Sequence, residues 1–293
     1  MNSFSFNRFG KMLRWVLSVN FRTLLAWTVG SLVAVFVGEM LLVRMISPGT
    51  PDIVIGIYGQ LGAVLLCLLS LIMVSTIVAT INEKRKRETF LMLPASNLEK
   101  YLALLVYTSV VCVACIFMAA VLGDTLRMAW FWVNGPYNEV PSAVVDGSIV
   151  YWWSSAIPGL VGFYTPNVLV DYPHHAPLYI AMQLVVGAGL ILWLHSLMTL
   201  GGTLLRKYAF IITGAFFLIA GTLFGKLMRY FDFSMFTASW EDGGYVTQDV
   251  GTMAYVLAVA LPLLAIFNYW ASFRIFKGFD LITNKWMNYD FHK

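Results

Sequence analysis

A chain of 293 residues that is 59% hydrophobic and only 12% charged carries about half the charge of an ordinary soluble domain. Its mean hydropathy is +0.76. So few charges cannot cover so much apolar surface, which excludes a water-soluble globular enzyme and makes lipid the natural solvent. The net charge of +4 does not point to nucleic acid, because the basic residues lie beside apolar runs.

In residues 1–22, Arg8, Lys11, Arg14, Ser18 and Arg22 recur at helical spacing, with Phe9, Met12, Leu13, Val16 and Leu17 on the other side. This predicts an amphipathic helix lying on the inner membrane face and attracted to anionic lipid. No secretory signal peptide is visible. The first apolar run is too long and lacks a small-residue cleavage site, so it is expected to remain as an anchor.

Residues 23–293 hold six stretches long and apolar enough to span a bilayer. They run about Thr23–Val43 (with Glu39), Ile53–Ile81, Leu98–Leu122 (with Glu99 and Lys100 at its start), Leu178–Leu205 (with His195), Ala209–Gly225 and Gly251–Phe273. The expected fold class is an all-α membrane protein with six transmembrane helices.

Lysine and arginine set the orientation. With the N-terminus in the cytoplasm, inner segments hold fifteen of the nineteen basic residues, among them Lys84, Arg85, Lys86, Arg87, Arg206, Lys207, Lys285 and Lys293. Outer segments keep only Arg44, Arg127, Lys226 and Arg229. Acidic residues such as Asp124, Asp146, Asp171, Asp232 and Asp249 fall outside. Both termini are therefore expected in the cytoplasm, and the protein in a prokaryotic cytoplasmic (inner) membrane as a multi-pass chain.

The longest outer segment, 124–176, is rich in Trp, Tyr, Gly and Pro. Ser148–Tyr164 within it suits an interfacial or re-entrant helix broken at Pro158–Gly159. Two readings stand open: a loop that binds something, and a packed cap with no ligand. Cys67, Cys112 and Cys115 all lie in apolar runs, which gives no disulfide framework. Cys112 and Cys115 form a C-x-x-C that reads as small residues on a helix. Asp171, His174 and His175 are metal-ligand types, but spacing places no fourth ligand among them, and no metal site is expected.

Isolated polar residues inside spans are suspects for function. Glu39 is a candidate pathway residue, or it reaches the interface or pairs with Arg44. His195 is a candidate for binding substrate or relaying protons, or for a hydrogen bond to a neighbouring helix. Gln60, Gln183 and Asn268 suit interhelical hydrogen bonds, and Gly187, Gly189, Gly201 and Gly202 suit close helix approach.

The inner loop between spans two and three, 83–100, reads EKRKRETFLMLPASNLEK. Ser96 and Glu99 make a capping box that opens a new helix at Asn97. Pro94 ends what precedes it. A short helix, about Lys86–Met92, is expected outside the bilayer, exposed and amphipathic, with Phe90, Leu91 and Leu93 opposite Arg85, Arg87 and Glu88. A partner gripping it could move two spans.

Arg87-Glu88-Thr89, followed by Leu93-Pro94-Ala95-Ser96 and Glu99-Lys100, resembles the loop of type-2 ABC exporter permeases, the membrane subunits of ATP-binding-cassette transporters. The six-span layout and amphipathic N-terminal helix are also similar to that family. There is no glycine before Thr89, and the longest outer loop follows span three rather than span five; both depart from the family pattern. The resemblance implies that 83–97 is a coupling loop docking on a separate ATPase subunit through Arg85, Arg87, Glu88, Thr89, Phe90, Leu93, Pro94 and Ser96. It also implies a second permease subunit, identical or different.

No G-x-x-x-x-G-K-[ST] phosphate loop occurs; Gly221–Lys226 is one residue short, and Leu227 stands where Ser or Thr is needed. The chain is thus expected to bind no cofactor and to catalyse nothing itself, with ATP bound by the partner. Two other readings remain: a non-transporting scaffold that binds an envelope partner through the outer loop, and a polytopic membrane enzyme using Glu39, His195 or the outer Asp/His group.

Overall fold

A computed structural model describes residues 4–45, 51–78, 81, 84–134, 143–145, 148–150, 154–157, 177–205, 208–231, 233–241 and 245–278. Helix α1 spans Phe6–Met45, α2 Pro51–Ser75, α3 Lys84–Met92, α4 Asn97–Val106 and α5 Cys112–Asn134. A π-turn at Tyr107–Val111 joins α4 to α5. A two-stranded ribbon, β1 (Ala143–Val145) and β2 (Ser148–Val150), precedes α6 (Pro177–Leu204) and α7 (Ala209–Tyr230). A hairpin of β3 (Phe236–Glu241) and β4 (Tyr245–Val250) leads into α8 (Thr252–Lys277).

Six helical segments are long and apolar enough to cross a membrane, as hydropathy predicts. The chain is a multi-pass membrane protein. Much of its apolar surface points outward, for example Ile211, Leu218 and Ile219 on α7, as expected where lipid tails replace water.

The first helix corrects one expectation. No separate amphipathic helix precedes span one; α1 runs unbroken for 40 residues. No proline lies between Arg14 and Ala26, so nothing stops the hydrogen-bond ladder there. Near its start Lys11, Arg14, Ser18 and Arg22 are exposed and Met12 and Val16 buried, while Arg8, Phe9, Leu13 and Leu17 are half-buried.

The third span also differs. Its helix continues through Asp124 and Arg127 to Asn134, so the outer segment starts later than 124. The charges that mark the end of the apolar run are neutralised within the fold and do not end the helix. Ser148–Val150 is strand, paired antiparallel with Ala143–Val145, and not the start of an interfacial helix. Residues 158–164 lie outside the described residues, as do Asp171, His174 and His175. The β3–β4 hairpin, with Phe236 opposite Val250 and Glu241 opposite Tyr245, is an element the helical reading did not anticipate.

The chain divides into two compact units. One comprises Met1–Val16, Leu71–Thr108 and Val168–Lys293, and the other Leu17–Ser70 and Ser109–Asn167. In the first unit, glycines let helices touch. A Cβ on Gly201 would strike the Thr213 hydroxyl of α7, and one on Gly202 would strike the Ser75 carbonyl of α2. A Cβ on Gly189 would lie 3.3 Å from the Leu261 Cβ of α8. Gly187 faces open space and plays no such part. These contacts suit membrane helices, which associate through close packing because lipid supplies no hydrophobic drive between them.

Candidate functional sites: a pinned loop helix and a buried ion cluster

The loop helix α3 belongs to the first unit. It forms where expected, but with a different face buried. Arg87 is 2% exposed and Phe90 1%, one helical turn apart. Arg87 Nε donates to the Ile81 carbonyl at 3.0 Å. The Phe90 ring lies 5.8 Å from that of Trp15 on α1 and 6.2 Å from that of Phe276 on α8. Arg87 and Phe90 therefore face the protein interior and not the exposed face that the loop sequence suggests. They fasten the helix to its own protein. Thr89, Met92 and Pro94 are exposed, Met92 by 83%. Glu88, Leu93 and Ser96 are half-buried. Arg85 lies on α3, with its side chain outside those described.

Beyond α3, the elbow at Pro94 is held at both ends. Ser96 caps α4 with a complete capping box: Glu99 N donates to Ser96 Oγ at 3.2 Å, and Ser96 N to Glu99 Oε2 at 2.8 Å. Lys100 Nζ donates to the Leu91 carbonyl at 2.9 Å. A cation thereby meets one of the unpaired carbonyls at the end of α3, where the helix dipole favours it.

Fully buried Glu99 does more than cap. It accepts from Ser5 N at 2.8 Å and from Arg8 Nη2 at 3.0 Å. The start of α1 is thus tied to the start of α4, and α3 is fixed to both and to the end of α8.

Farther along the first unit, polar side chains join helices in pairs. Tyr101 donates to Ser272 Oγ at 3.0 Å, and Thr203 Oγ1 donates to the same oxygen at 3.1 Å. Asn268 Nδ2 donates to Ser196 Oγ at 3.1 Å. His195 Nδ1 and the Tyr269 hydroxyl lie 2.5 Å apart. His195 therefore has a partner on a neighbouring helix, the simpler of its two readings, and Asn268 is the interhelical link expected of it. Gln60 is exposed. Gln183 Oε1 is buried with no hydrogen-bond partner among the described residues.

In the second unit, Glu39 pairs with Arg127. Arg127 is fully buried. Its Nε donates to Glu39 Oε2 at 2.9 Å and to Asp124 Oδ1 at 3.1 Å. Its Nη2 donates to Asp124 Oδ1 at 2.6 Å and to the Ser154 carbonyl at 2.7 Å. Asp124 Oδ2 accepts from Ser155 Oγ at 2.7 Å and from Ala156 N at 3.2 Å. The Tyr58 ring of α2 lies 5.3 Å from the guanidinium carbon.

The cluster draws on α1, α2, α5 and Ser154–Ala156. It fixes the segment after β2 onto α5 and satisfies charges that apolar surroundings would otherwise penalise. Glu39 is a candidate from sequence, whereas Asp124 and Arg127 are expected in the outer segment. Their only local signal was the i, i+3 spacing of opposite charges on a continuing helix.

Cys112 is buried, and neither Cys112 nor Cys115 is in a disulfide among the described residues. No protein-family model, curated protein or solved structure matches the chain.

Proposed function

We propose that this chain is the transmembrane permease subunit of an ATP-driven ABC exporter in a prokaryotic cytoplasmic membrane. It works beside a second permease subunit, identical or different, while separate ATPase subunits bind α3 from the cytoplasm and hydrolyse the ATP. The observation that carries this reading is the way α3 is held. A nine-residue charged helix between two spans is fastened to α1, α4 and α8 by Phe90, Lys100 and the Glu99 cap.

A push on such a helix moves three membrane helices together instead of bending a loop. That is what conversion of ATPase closure into span movement requires. The resemblance of the 87–100 sequence to exporter coupling loops and the basic bias of the inner segments support the same reading. The docking face in this proposal is Thr89, Met92 and Pro94, with Glu88 and Leu93 at its edge. Arg87, Phe90, Ser96 and Glu99 transmit. The few charges in the spans favour an amphipathic or lipid-like substrate.

A second reading rests on the Asp124–Arg127 cluster, which holds Ser154–Ala156 rigidly. Such an anchor suits a scaffold that presents its outer segment to an envelope protein.

Affinity purification in mild detergent separates the two. A P-loop ATPase that copurifies with wild type and is lost from Met92→Asp supports the permease. A folded wild type that brings down no ATPase removes that reading and favours the scaffold.

A further inference from the structure

We infer that the second unit carries a binding groove for an anionic phospholipid along α1 and α2. A groove of about 550 Å³ runs between these helices. Apart from Ser31, its walls beyond the Arg22 end are apolar, with Trp27, Gly30 and Ala34 from α1 and Leu65 and Leu69 from α2. At Gly30 an added Cβ would meet nothing within 4 Å. The glycine here opens space, whereas Gly201 and Gly202 bring a neighbouring helix into contact.

One end of the groove is different. Arg22 and Thr23 close it. Arg22 is exposed and makes no ion pair among the described residues.

Length and charge select the occupant. Twelve residues separate Arg22 from Ala34, which is about 18 Å of helical rise. One leaflet of hydrocarbon is about 15 Å, half of a bilayer core. A molecule filling the groove must therefore be apolar over a leaflet's depth and negative at one end. A phospholipid with an anionic headgroup has both properties. A guanidinium binds phosphate oxygens in a bidentate fork, and the acyl chain covers Gly30 and Ala34. A soluble anion would leave the apolar walls unused. A transmembrane helix of another subunit would cover the walls but leave Arg22 without its counter-charge.

The test uses the full chain in phosphatidylcholine nanodiscs. These are doped with either phosphatidylglycerol or phosphatidylcholine carrying a photoactivatable acyl chain, and labelled peptides are mapped by mass spectrometry. Phosphatidylglycerol is expected to label the groove peptides of α1 and α2 about fivefold more than phosphatidylcholine, the effect of one basic residue at the headgroup level. Arg22→Gln should bring the two lipids level. Gly30→Leu fills open space and favours the helix, so it should reduce groove labelling by both lipids while labelling of α7 stays unchanged. Equal labelling by the two lipids in wild type, unaffected by Arg22→Gln, would overturn the inference. So would disulfide cross-linking of Ala34→Cys between two copies with no lipid label in the groove, which would place a second copy of the chain there.

Discussion

Arg127 and Arg8 each hold a buried glutamate, but in opposite ways. Around Arg127 all three charges are buried: one guanidinium lies between two carboxylates, roofed by Tyr58 and tied to the Ser154 backbone. Around Arg8 only the carboxylate is buried; the arginine side chain is 38% exposed, and Glu99 keeps backbone partners at Ser5 and Ser96. Loss of Arg127 from the first arrangement leaves two carboxylates stranded in an apolar setting. The second can lose its arginine and still satisfy the carboxylate. One site is a fixed joint, and the other is a fastening that can be remade.

The largest expected effect therefore belongs to Arg127→Ala. It strands Glu39 and Asp124 and should reduce stability by about 3–5 kcal/mol, read as resistance to unfolding in an SDS titration. Asp124→Asn comes next. Asp124 accepts from Arg127, Ser155 and Ala156, so weakening it should cost about 1–3 kcal/mol, more than Glu39→Gln in the same titration. Ser96→Ala removes the α4 cap and should cost about 1 kcal/mol. Arg8→Ala should be the mildest, at most about 1 kcal/mol for a half-exposed pair. If Arg8→Ala matched Arg127→Ala, the contrast between joint and fastening would collapse.

What sequence could reveal follows the range of each interaction. The six spans were legible because hydropathy accumulates over about 20 neighbouring residues. The Ser96–Glu99 capping box was legible because its partners are three residues apart. Glu39, Asp124 and Arg127 were seen separately and not as one site, because their meeting depends on how α1 and α5 pack. The same limit hid the true orientation of α3. Arg87 and Glu88 both read as exposed charges, and the bond from Arg87 to the Ile81 carbonyl is not visible in the local pattern.

The unbroken α1 was within reach of the sequence, since residues 14–26 contain no helix breaker. So was the β3–β4 hairpin, because Asp242-Gly243-Gly244 sits between β-favouring residues and is a strong turn signal. Hydropathy alone passes over both.

In the proposed exporter, α3 presents Met92 to an ATPase while Phe90 stays inside. The most direct measurement is site-specific photo-cross-linking in native membranes, with a photoreactive amino acid placed in turn at Met92 and at Phe90. The account predicts a cross-link from position 92 to a P-loop ATPase subunit, and from position 90 only to this chain. Cross-links from position 92 to lipid or to this chain alone, in folded protein, would contradict it.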